Sequence, residues 1–390
     1  MKIAILKERR PGELRVAASP ETVKRFAGLG IEVVVEKGAG ETAAATDEAY
    51  RNAGATIADD AKAALDGADV VLKVQRPLLA DEGKIDELVL MKRGAVLIGA
   101  LAPYDAGDSL KAYADAGIDA FAMELMPRIT RAQSMDILSS QSNLAGYRAV
   151  LDAAAEFGRA FPMMMTAAGT VPPAKAMIMG VGVAGLQAIA TARRLGAVVS
   201  ATDVRPATKE QVESLGGTFI AVEDEEFRQA ETAGGYAKEM SDAYKQKQAE
   251  LIAETIRKQD IVITTALIPG RPAPVLVTEE MVATMKPGSV IVDLAVERGG
   301  NCPLSKPGKV VTTKNGVKIV GHTNVPSRVA VDASALYAKN LLNFLTPLVD
   351  RDQKALKIDW DDEIIKGTAL TRDGRIVHPA FLAAEPASAS

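Results

Sequence analysis

The sequence is poor in cysteine and histidine, the residue types that build disulfides and many metal centres. Its 390 residues include one cysteine, Cys302, and two histidines, His322 and His378. One cysteine excludes an intramolecular disulfide and a cysteine-rich metal site, and the two histidines lack metal-ligand spacing. The chain also contains neither a G-x-S-x-G elbow nor a P-loop. No metal site is therefore expected.

Long apolar runs and a strong net charge are also missing. The longest apolar candidate, residues 161–179, is interrupted by three prolines and Lys175, so no membrane span is expected. Near the N-terminus only four residues separate Lys2 from Lys7, too few for the apolar core of a signal peptide. The formal net charge of -4 gives no electrostatic reason to expect nucleic-acid binding.

What the chain does contain is a regular alternation of short β-branched runs and helical segments. This alternation is typical of parallel sheets with helices on their faces. We expect an α/β protein with two domains on parallel sheets, the first discontinuous and the second a Rossmann dinucleotide-binding fold of six strands. The expected boundaries are 1–135 plus 330–380 for the first domain, 140–325 for the second, and 381–390 for a disordered tail.

One stretch of the second domain carries a specific signal. An apolar run, residues 176–179, is followed by Gly180, Gly182 and Gly185, then by a helical segment, a second β-branched run and Asp203. In a dinucleotide fold these glycines permit a tight turn, approach of a pyrophosphate, and close packing of the helix. An acid at this position binds the adenosine ribose, which favours NAD over NADP, although Arg205 nearby could serve a 2′-phosphate.

The scarcity of histidine bears on the reaction. Oxidation of an alcohol or amine moves a proton as well as a hydride, and normally uses a histidine, lysine or carboxylate at the reacting carbon. Hydride transfer between two nicotinamides moves no proton in that step, so positioning is most of the task. The composition is compatible with the second case, while Lys73 or an aspartate could still serve the first.

Two further segments are unusual for an ordinary α/β protein. Residues 124–142 are polar, follow a strand and lead into an alanine-rich helix that suits a spacer between domains. Gly234, Gly235 and Tyr236 precede a long charged helix. Paired glycines beside an aromatic residue suggest a mobile flap near a ligand, but without other evidence an ordinary surface loop is favoured.

Four stretches together resemble the NAD(H)-binding component, domain I, of proton-translocating NAD(P) transhydrogenase. They are residues 126–147, 180–185, 264–270 and 321–328, of which the first and last are the most specific. The resemblance covers nearly the whole chain. It implies direct hydride transfer between NAD(H) on this chain and NADP(H) on a partner domain, coupled to proton translocation by a separate membrane domain.

The resemblance also implies roles for individual residues. A family loop that contacts the nicotinamide end of NAD(H) matches Arg128, Gln133, Asp136 and Ser139. Within this loop, Gln133 bridges toward the nicotinamide of NADP(H) on the partner. Tyr236 matches the tyrosine of a mobile loop that closes on bound nucleotide. The predicted catalytic residues are Arg128, Gln133, Asp136, Ser139 and Tyr236. The predicted nucleotide-binding residues are Arg128, Gln133, Ser139, Gly180, Gly182, Val183, Gly185, Asp203, Arg205, Gly235, Gln248 and Leu267.

The alternative is an amino-acid dehydrogenase similar to alanine dehydrogenase. Arg15 and Lys73 match residues that hold the substrate there. Two departures oppose that activity, because Ala102 stands at about the position of the catalytic histidine and Glu297 replaces a catalytic aspartate. Alanine dehydrogenases also lack the polar insertion at residues 128–142. A third possibility, from another class, is a nucleotide-sensing module without chemistry.

The resemblance predicts partners and a location as well. We expect a homodimer that works with an NADP(H)-binding subunit and a membrane-spanning subunit of the same enzyme. It is expected to be cytoplasmic, peripheral on the cytoplasmic face of the inner membrane.

Overall fold

The computed structural model describes residues 1–229, 240–268 and 270–382. The chain divides into two compact units, one of residues 1–141 with the segment from Ser327 onward, the other of residues 142–326. The expected tail and the predicted flap at Gly234, Gly235 and Tyr236 lie outside the described residues, apart from Phe381 and Leu382.

The N-terminal part of the first unit alternates strands and helices from its second residue. Its elements are β1 Lys2–Ile5, α1 Pro20–Gly28, β2 Glu32–Glu36, α2 Asp47–Asn52, β3 Thr56–Ala58, α3 Ala61–Leu65, β4 Val70–Gln75, β5 Val96–Ala100, α4 Gly107–Ala116, β6 Asp119–Ala122 and α5 Ile137–Glu156. Helix α1 begins at Pro20, because Ser19 and Thr22 form a capping box and Pro20 occupies its first turn.

Within the described ranges, these strands form a six-stranded parallel sheet in the order β3-β2-β1-β4-β5-β6. Alternate residues of each strand enter different apolar clusters. Ile3 and Ile5 pack with Phe26 of α1, whereas Ala4 packs with Leu65 of α3 and Leu110 of α4. Both faces of the sheet are therefore covered, as a parallel sheet requires.

The second unit contains a β-hairpin and a doubly wound sheet. Its elements are β7 Met164–Thr166, β8 Gly169–Val171, β9 Lys175–Met179, α6 Val183–Arg194, β10 Val198–Thr202, α7 Thr208–Ser214, β11 Thr218–Phe219, α8 Glu225–Arg228, α9 Asp242–Ile256, β12 Ile261–Thr264, α10 Glu279–Thr284, β13 Val290–Asp293, β14 Lys309–Thr312 and β15 Lys318–Gly321. The division between the units falls within α5, between Gln141 and Ser142.

The described part of this sheet has seven strands, one more than the six expected. Their order is β11-β10-β9-β12-β13-β15-β14, and only β14 runs antiparallel, against β15. The strand order reverses at β9, between β10 and β12. In open α/β sheets, ligands bind at the carboxyl ends of the strands at this reversal point.

The C-terminal segment completes the first unit. It forms α11 Ala330–Leu345, β16 Val349–Asp350, β17 Ala355–Leu356, α12 Glu363–Thr368, β18 Thr371–Arg372 and β19 Arg375–Ile376. Tyr337 and Leu341 of α11 belong to the same apolar cluster as Ile3 and Ile5 of β1. The first unit is therefore discontinuous in sequence. No helix in the described ranges is long and apolar enough to cross a membrane.

Candidate active site

The three fingerprint glycines occupy physically different positions at the end of β9. Gly180 has a φ of +101°, and a Cβ there would lie 2.5 Å from Oγ1 of Thr265. A Cβ on Gly185 would lie 1.9 Å from the carbonyl oxygen of Gly180, so only glycine lets α6 pack this closely. These two glycines are required by the fold itself.

Neither the backbone conformation nor the packing requires a glycine at position 182. Its φ of -81° is open to any residue, and a Cβ there would meet nothing within 4 Å. The missing side chain instead leaves the backbone open to approach from outside, as a pyrophosphate would need. No described side chain caps the following helix at Gly182, so the first N–H groups of α6 are available to an anion.

A fourth glycine, Gly146, holds α6 in place from its other side. A Cβ on Gly146 of α5 would lie 2.0 Å from the carbonyl oxygen of Ala184. This contact was not predicted from the sequence, because a helix-packing glycine has no local signature. Val183, in the first turn of α6, is 41 % exposed beside this contact.

Asp203 follows β10 at the same edge of the sheet. Its Oδ2 accepts hydrogen bonds from the backbone N–H of Val181 at 2.7 Å and from Nη2 of Arg205 at 3.0 Å. Its Oδ1 accepts from the backbone N–H and from Nε of Arg205, both at 2.9 Å. Burial alone raises the pKa of Asp203, but the Arg205 side chain and the N–H of Val181 outweigh burial and lower it.

The two remaining described nucleotide-binding predictions of this unit lie on helix α9 and in the loop after β12. Gln248 of α9 accepts from the N–H of Val222 at 2.8 Å and donates to Oγ1 of Thr202 at 3.3 Å. Gln248 therefore braces the end of β10, next to Asp203. Leu267 is 53 % exposed in the loop after β12. Gly235 lies outside the described residues.

Asn301 holds the Leu267 loop and was missed from sequence. Its fully buried side chain accepts from the N–H of Ala266 at 3.2 Å and donates to the carbonyl oxygens of Ala266 and Pro274 at 2.9 and 2.8 Å. A single asparagine after two glycines gives no signal for such a clamp.

The predicted nicotinamide loop lies in the first unit, where the backbone of Ser134 and the side chain of Arg131 anchor it. The side-chain amides of Asn340 and Asn343 both donate to the carbonyl oxygen of Ser134, at 2.9 and 3.0 Å. Arg131 forms a two-bond ion pair with Asp362, at 2.8 and 2.9 Å. Residues 130–135 form a 3₁₀ helix held in this way.

Arg128 and Gln133 project from this anchored loop. Both are exposed, and neither side chain has a hydrogen-bond or ion-pair partner among the described residues. An arginine and an amide on a fixed backbone, without internal partners, are suited to contacting another molecule.

Asp136 and Ser139 bond to each other where α5 begins. Oδ1 of Asp136 accepts from the N–H of Ser139 at 3.0 Å, and Oδ2 accepts from Oγ of Ser139 at 2.5 Å. This is the arrangement of a helix N-cap. Both residues thus have a structural role in addition to any contact with a nicotinamide.

Arg15, one of the two alanine-dehydrogenase-like residues, is fully engaged inside the first unit. Its Nε and Nη2 donate to the two carboxylate oxygens of Glu13 at 2.8 and 2.7 Å, and its Nη1 donates to Gln141 at 2.9 Å. Burial raises the pKa of Glu13, but the bonds and charge of Arg15 outweigh it and lower that pKa to about 2.

Lys73, the second such residue, is buried between two carboxylates. Its Nζ lies 3.3 Å from Glu8 and 3.1 Å from Glu87. Burial raises the pKa of Glu8 despite the nearby Lys73. The positions expected to hold an amino-acid substrate are therefore filled by the chain's own carboxylates.

Ala102 and Glu297, which stand where alanine dehydrogenases carry a catalytic histidine and aspartate, have other contacts in this chain. Ala102 has a φ of +50°, and its N–H and that of Leu101 donate to the carboxylate of Glu124 at 2.5 and 3.1 Å. Burial raises the pKa of Glu124. Glu297 is exposed and accepts from the N–H of Asn324 at 3.0 Å.

His378, one of the two histidines, caps a 3₁₀ turn. Its Nδ1 accepts from the N–H of Ala380 at 3.2 Å.

The predicted residues thus fall into two groups, each assembled within its own unit. One group lies at the carboxyl edge of the second sheet: Gly180, Gly182, Val183, Gly185, Asp203, Arg205, Gln248 and Leu267. The other lies on the loop and helix start of the first unit: Arg128, Gln133, Asp136 and Ser139. Tyr236 and Gly235 lie outside the part of the chain that the structure describes.

Two family models match this chain. Residues 4–145 match "Alanine dehydrogenase/PNT, N-terminal domain", and residues 149–379 match "Alanine dehydrogenase/PNT, C-terminal domain". The second match covers most of the second unit, whose sheet order is Rossmann-like, and continues into the C-terminal segment of the first unit. The α/β fold with two parallel sheets, expected from sequence, is confirmed.

Individual relatives cover nearly the whole chain. It is 69 % identical over 381 residues to the first part of the NAD(P) transhydrogenase alpha subunit of Rhodospirillum rubrum, covering 98 % of this chain and 99 % of the relative. The crystal structure of transhydrogenase from Sinorhizobium meliloti is 57 % identical with a TM-score of 0.87, over 97 % of this chain and 100 % of that one. An L-alanine dehydrogenase structure is 27 % identical with a TM-score of 0.79, over 98 % of both chains.

Proposed function

The chain belongs to the alanine dehydrogenase/PNT family, and from this premise we propose that it is the NAD(H)-binding component of a proton-translocating NAD(P) transhydrogenase. Its 69 % identity to the first part of a transhydrogenase alpha subunit supports this choice within the family. The resemblance found in the sequence is confirmed by these comparisons. In the proposed reaction a hydride passes directly between NAD(H) on this chain and NADP(H) on a partner.

The second unit supplies the NAD(H) end of the proposal. The open backbone at Gly182 and the uncapped start of α6 would take the pyrophosphate. Asp203 would accept the adenosine ribose hydroxyls, and its negative charge disfavours a 2′-phosphate. Arg205 and Gln248 lie at this adenosine end, and Leu267 lies on the adjoining loop.

The first unit supplies the positioning groups of the proposal. Arg128 and Gln133, exposed on the anchored loop, would orient the nicotinamide, with Gln133 reaching toward the partner's nicotinamide. Asp136 and Ser139 would support them from the start of α5. Since hydride transfer between nicotinamides moves no proton, these residues need only hold the reacting carbons close together.

One observation carries the choice between this reaction and the alanine-dehydrogenase alternative. The Arg15 guanidinium that would bind a substrate carboxylate already holds the carboxylate of Glu13 through two bonds, and both side chains are buried. An amino acid could bind there only by displacing Glu13 from a buried ion pair, which is costly. The structure therefore favours the transhydrogenase reaction.

We further propose the assembly and the location. Because the relative's name describes it as one part of an alpha subunit, the partners would be an NADP(H)-binding subunit and a membrane-spanning subunit of the same enzyme. The chain would act as a homodimer on the cytoplasmic face of the membrane. Co-purification of the chain with membranes that contain or lack the other subunits tests this. Recovery of the chain in the soluble fraction with both kinds of membrane would contradict the proposal.

The reaction is tested by rapid mixing of this chain, loaded with NADH, with an NADP⁺-loaded partner subunit. NADH and NADPH absorb alike, so the NADH should carry deuterium at the nicotinamide C4, and mass spectrometry should follow the label. We expect the label in NADPH within a single turnover. Failure of label transfer with both nucleotides bound would overturn the proposal.

Gln133 is tested by Gln133→Asn, which shortens the side chain by one methylene and keeps the amide. We expect hydride transfer to slow by about 10- to 100-fold, because small displacements of positioning groups cost this much, while NADH binding is retained. Gln353→Asn is the matched control at another exposed glutamine of the same unit and should have no effect. Unchanged transfer in Gln133→Asn with NADH binding retained would contradict the positioning role of Gln133.

The alanine-dehydrogenase alternative has a direct assay. Pyruvate, ammonia and NADH are added to the chain without partner subunits, and the absorbance of NADH is followed. The proposal predicts no steady oxidation, whereas continuous turnover would establish the alternative.

A further inference from the structure

The ribose-recognition carboxylate is already saturated by the chain itself. A carboxylate offers about four lone-pair positions to donors. In Asp203 all four are used: Oδ1 accepts the N–H and Nε of Arg205, and Oδ2 accepts the N–H of Val181 and Nη2 of Arg205. A ribose hydroxyl can therefore donate to Asp203 only after one of these donors has left.

Only the guanidinium of Arg205 can leave without a change of the backbone. The N–H groups of Val181 and Arg205 are fixed by the turn after β9 and by the chain after β10. The Arg205 side chain is 35 % exposed, whereas the Asp203 side chain is 7 % exposed. The guanidinium therefore lies on the solvent side of the carboxylate, where a nucleotide would arrive.

We propose that Arg205 is an internal competitor for Asp203, so that NAD(H) binds by exchanging the two guanidinium bonds for bonds from its adenosine ribose. The proposal rests on the NAD(H) binding proposed above and deepens it. By competing, Arg205 weakens NAD(H) binding and favours nucleotide release. By neutralising Asp203, it also limits how strongly the site discriminates against a 2′-phosphate.

A direct binding role for Arg205 predicts opposite effects. If the guanidinium contacted a nucleotide phosphate, its removal would weaken binding of both NADH and NADPH. The observed geometry favours competition, because Nε and Nη2 are both directed at Asp203, and Nη2 also donates to the carbonyl oxygen of Val181 at 3.3 Å. The sign of the change in affinity therefore distinguishes the two roles.

The test is equilibrium titration of the full chain with NADH and with NADPH, followed by nucleotide fluorescence. The main variant is Arg205→Met, which keeps the aliphatic stem and both backbone donors to Asp203. We expect its NADH dissociation constant to fall about three- to tenfold, because a partly exposed bidentate pair is worth this much. The ratio of NADPH to NADH dissociation constants should rise at least as much, since Asp203 is no longer neutralised.

Arg194→Met is the matched control, because it removes one positive charge from an exposed arginine at the end of α6. It should leave the affinity for both nucleotides unchanged. Arg205→Lys keeps the charge but cannot bridge both carboxylate oxygens, so its NADH gain should be smaller than that of Arg205→Met. The lysine variant also provides the test if the methionine variant does not fold, as judged by circular dichroism.

Asp203→Asn completes the experiment as a double-mutant cycle. If Arg205 acts through Asp203, replacing Arg205 in the Asp203→Asn background should no longer tighten NADH binding. Weaker or unchanged NADH binding in folded Arg205→Met and Arg205→Lys would overturn the proposal. Failure of the unmodified chain to bind NADH would instead overturn the proposed function, so the two failures are distinguishable.

Discussion

Gly182 and Gly185 lie three residues apart, yet they lack side chains for different reasons. At Gly185 the space is filled by the carbonyl oxygen of Gly180, and at Gly182 the space is open. We expect Gly185→Ala to lower the free energy of unfolding by about 1–3 kcal/mol through overpacking. Gly182→Ala should cost less than about 1 kcal/mol, because alanine is only a weaker N-cap.

The nucleotide affinity of the Gly182 variant should change although its stability barely does. Gly182→Ala is expected to weaken NADH binding by about tenfold or more, because a methyl group then occupies the approach to the backbone. Urea unfolding followed by circular dichroism and titration with NADH measure the two effects on the same samples. A Gly182→Ala variant that binds NADH as tightly as the unmodified chain would show that no ligand approaches there.

Single residues were predictable from the sequence where a local pattern constrains them. The spacing of the three glycines and the acid at 203 identified the turn and the end of β10. The sequence could not show that Arg205 donates hydrogen bonds to both carboxylate oxygens of Asp203, or that the guanidinium of Arg15 is paired with Glu13. Both pairs depend on side-chain rotamers and on burial, which no spacing rule contains.

The start of α5 shows how one element can serve structure and function together. Asp136 caps this helix through the N–H and Oγ of Ser139. Asp136→Ala should lower the free energy of unfolding by about 1 kcal/mol, whereas Asp136→Asn should retain most of it, because asparagine is a comparable N-cap. Urea denaturation of the two variants measures this difference.

Hydride transfer in the same two variants separates the roles of Asp136. If Asp136 only caps α5, the asparagine variant should transfer hydride at the unmodified rate. If its charge also supports the nicotinamide contact, both variants should be slow although only one is destabilised. Equal stability of all three chains would contradict the capping role.

Long elements were predicted more reliably than short or peripheral ones. The helical segment and the β-branched run expected between Gly185 and Asp203 are present as α6 and β10. Strand β3, three residues long, and the antiparallel strand β14 were not predicted. Lys309–Thr312 is mostly exposed and contains only two apolar residues, so it lacks the apolar run that marks an inner strand of a parallel sheet.

At the scale of the whole molecule, the two units can be followed separately in unfolding. The sequence has a single tryptophan, Trp360 of the first unit, whose ring stacks on Phe121 at 5.7 Å and lies 4.2 Å below the guanidinium of Arg372. Its fluorescence therefore reports unfolding of the first unit, whereas protection by NADH is expected from the second. A chain of two units need not unfold in one step, so a site-specific probe is needed.

This probe tests the buried Glu13–Arg15 pair, which we propose closes the position of an amino-acid substrate. The pKa of Glu13 is lowered to about 2 in the folded chain, whereas an unfolded glutamate titrates near 4.3. An acid whose pKa is lower in the folded state stabilises the fold fully at pH values above its unfolded-state pKa. That stabilisation is lost as the pH falls toward the folded-state pKa. Trp360-detected stability should therefore decrease between about pH 4.5 and pH 2, with Glu13 contributing ~3 kcal/mol of the loss.

Glu13→Gln should remove that contribution and leave the Arg15 charge buried without its carboxylate. We expect Trp360-detected stability to fall by about 3 kcal/mol at pH 7, and the difference from the unmodified chain to shrink toward pH 2. Glu48→Gln, at an exposed pair with Arg51, is the control and should change neither value measurably. A constant difference between Glu13→Gln and the unmodified chain from pH 7 to pH 2 would show that Glu13 acts by packing. Its charge would then not be what closes the Arg15 position to a substrate carboxylate.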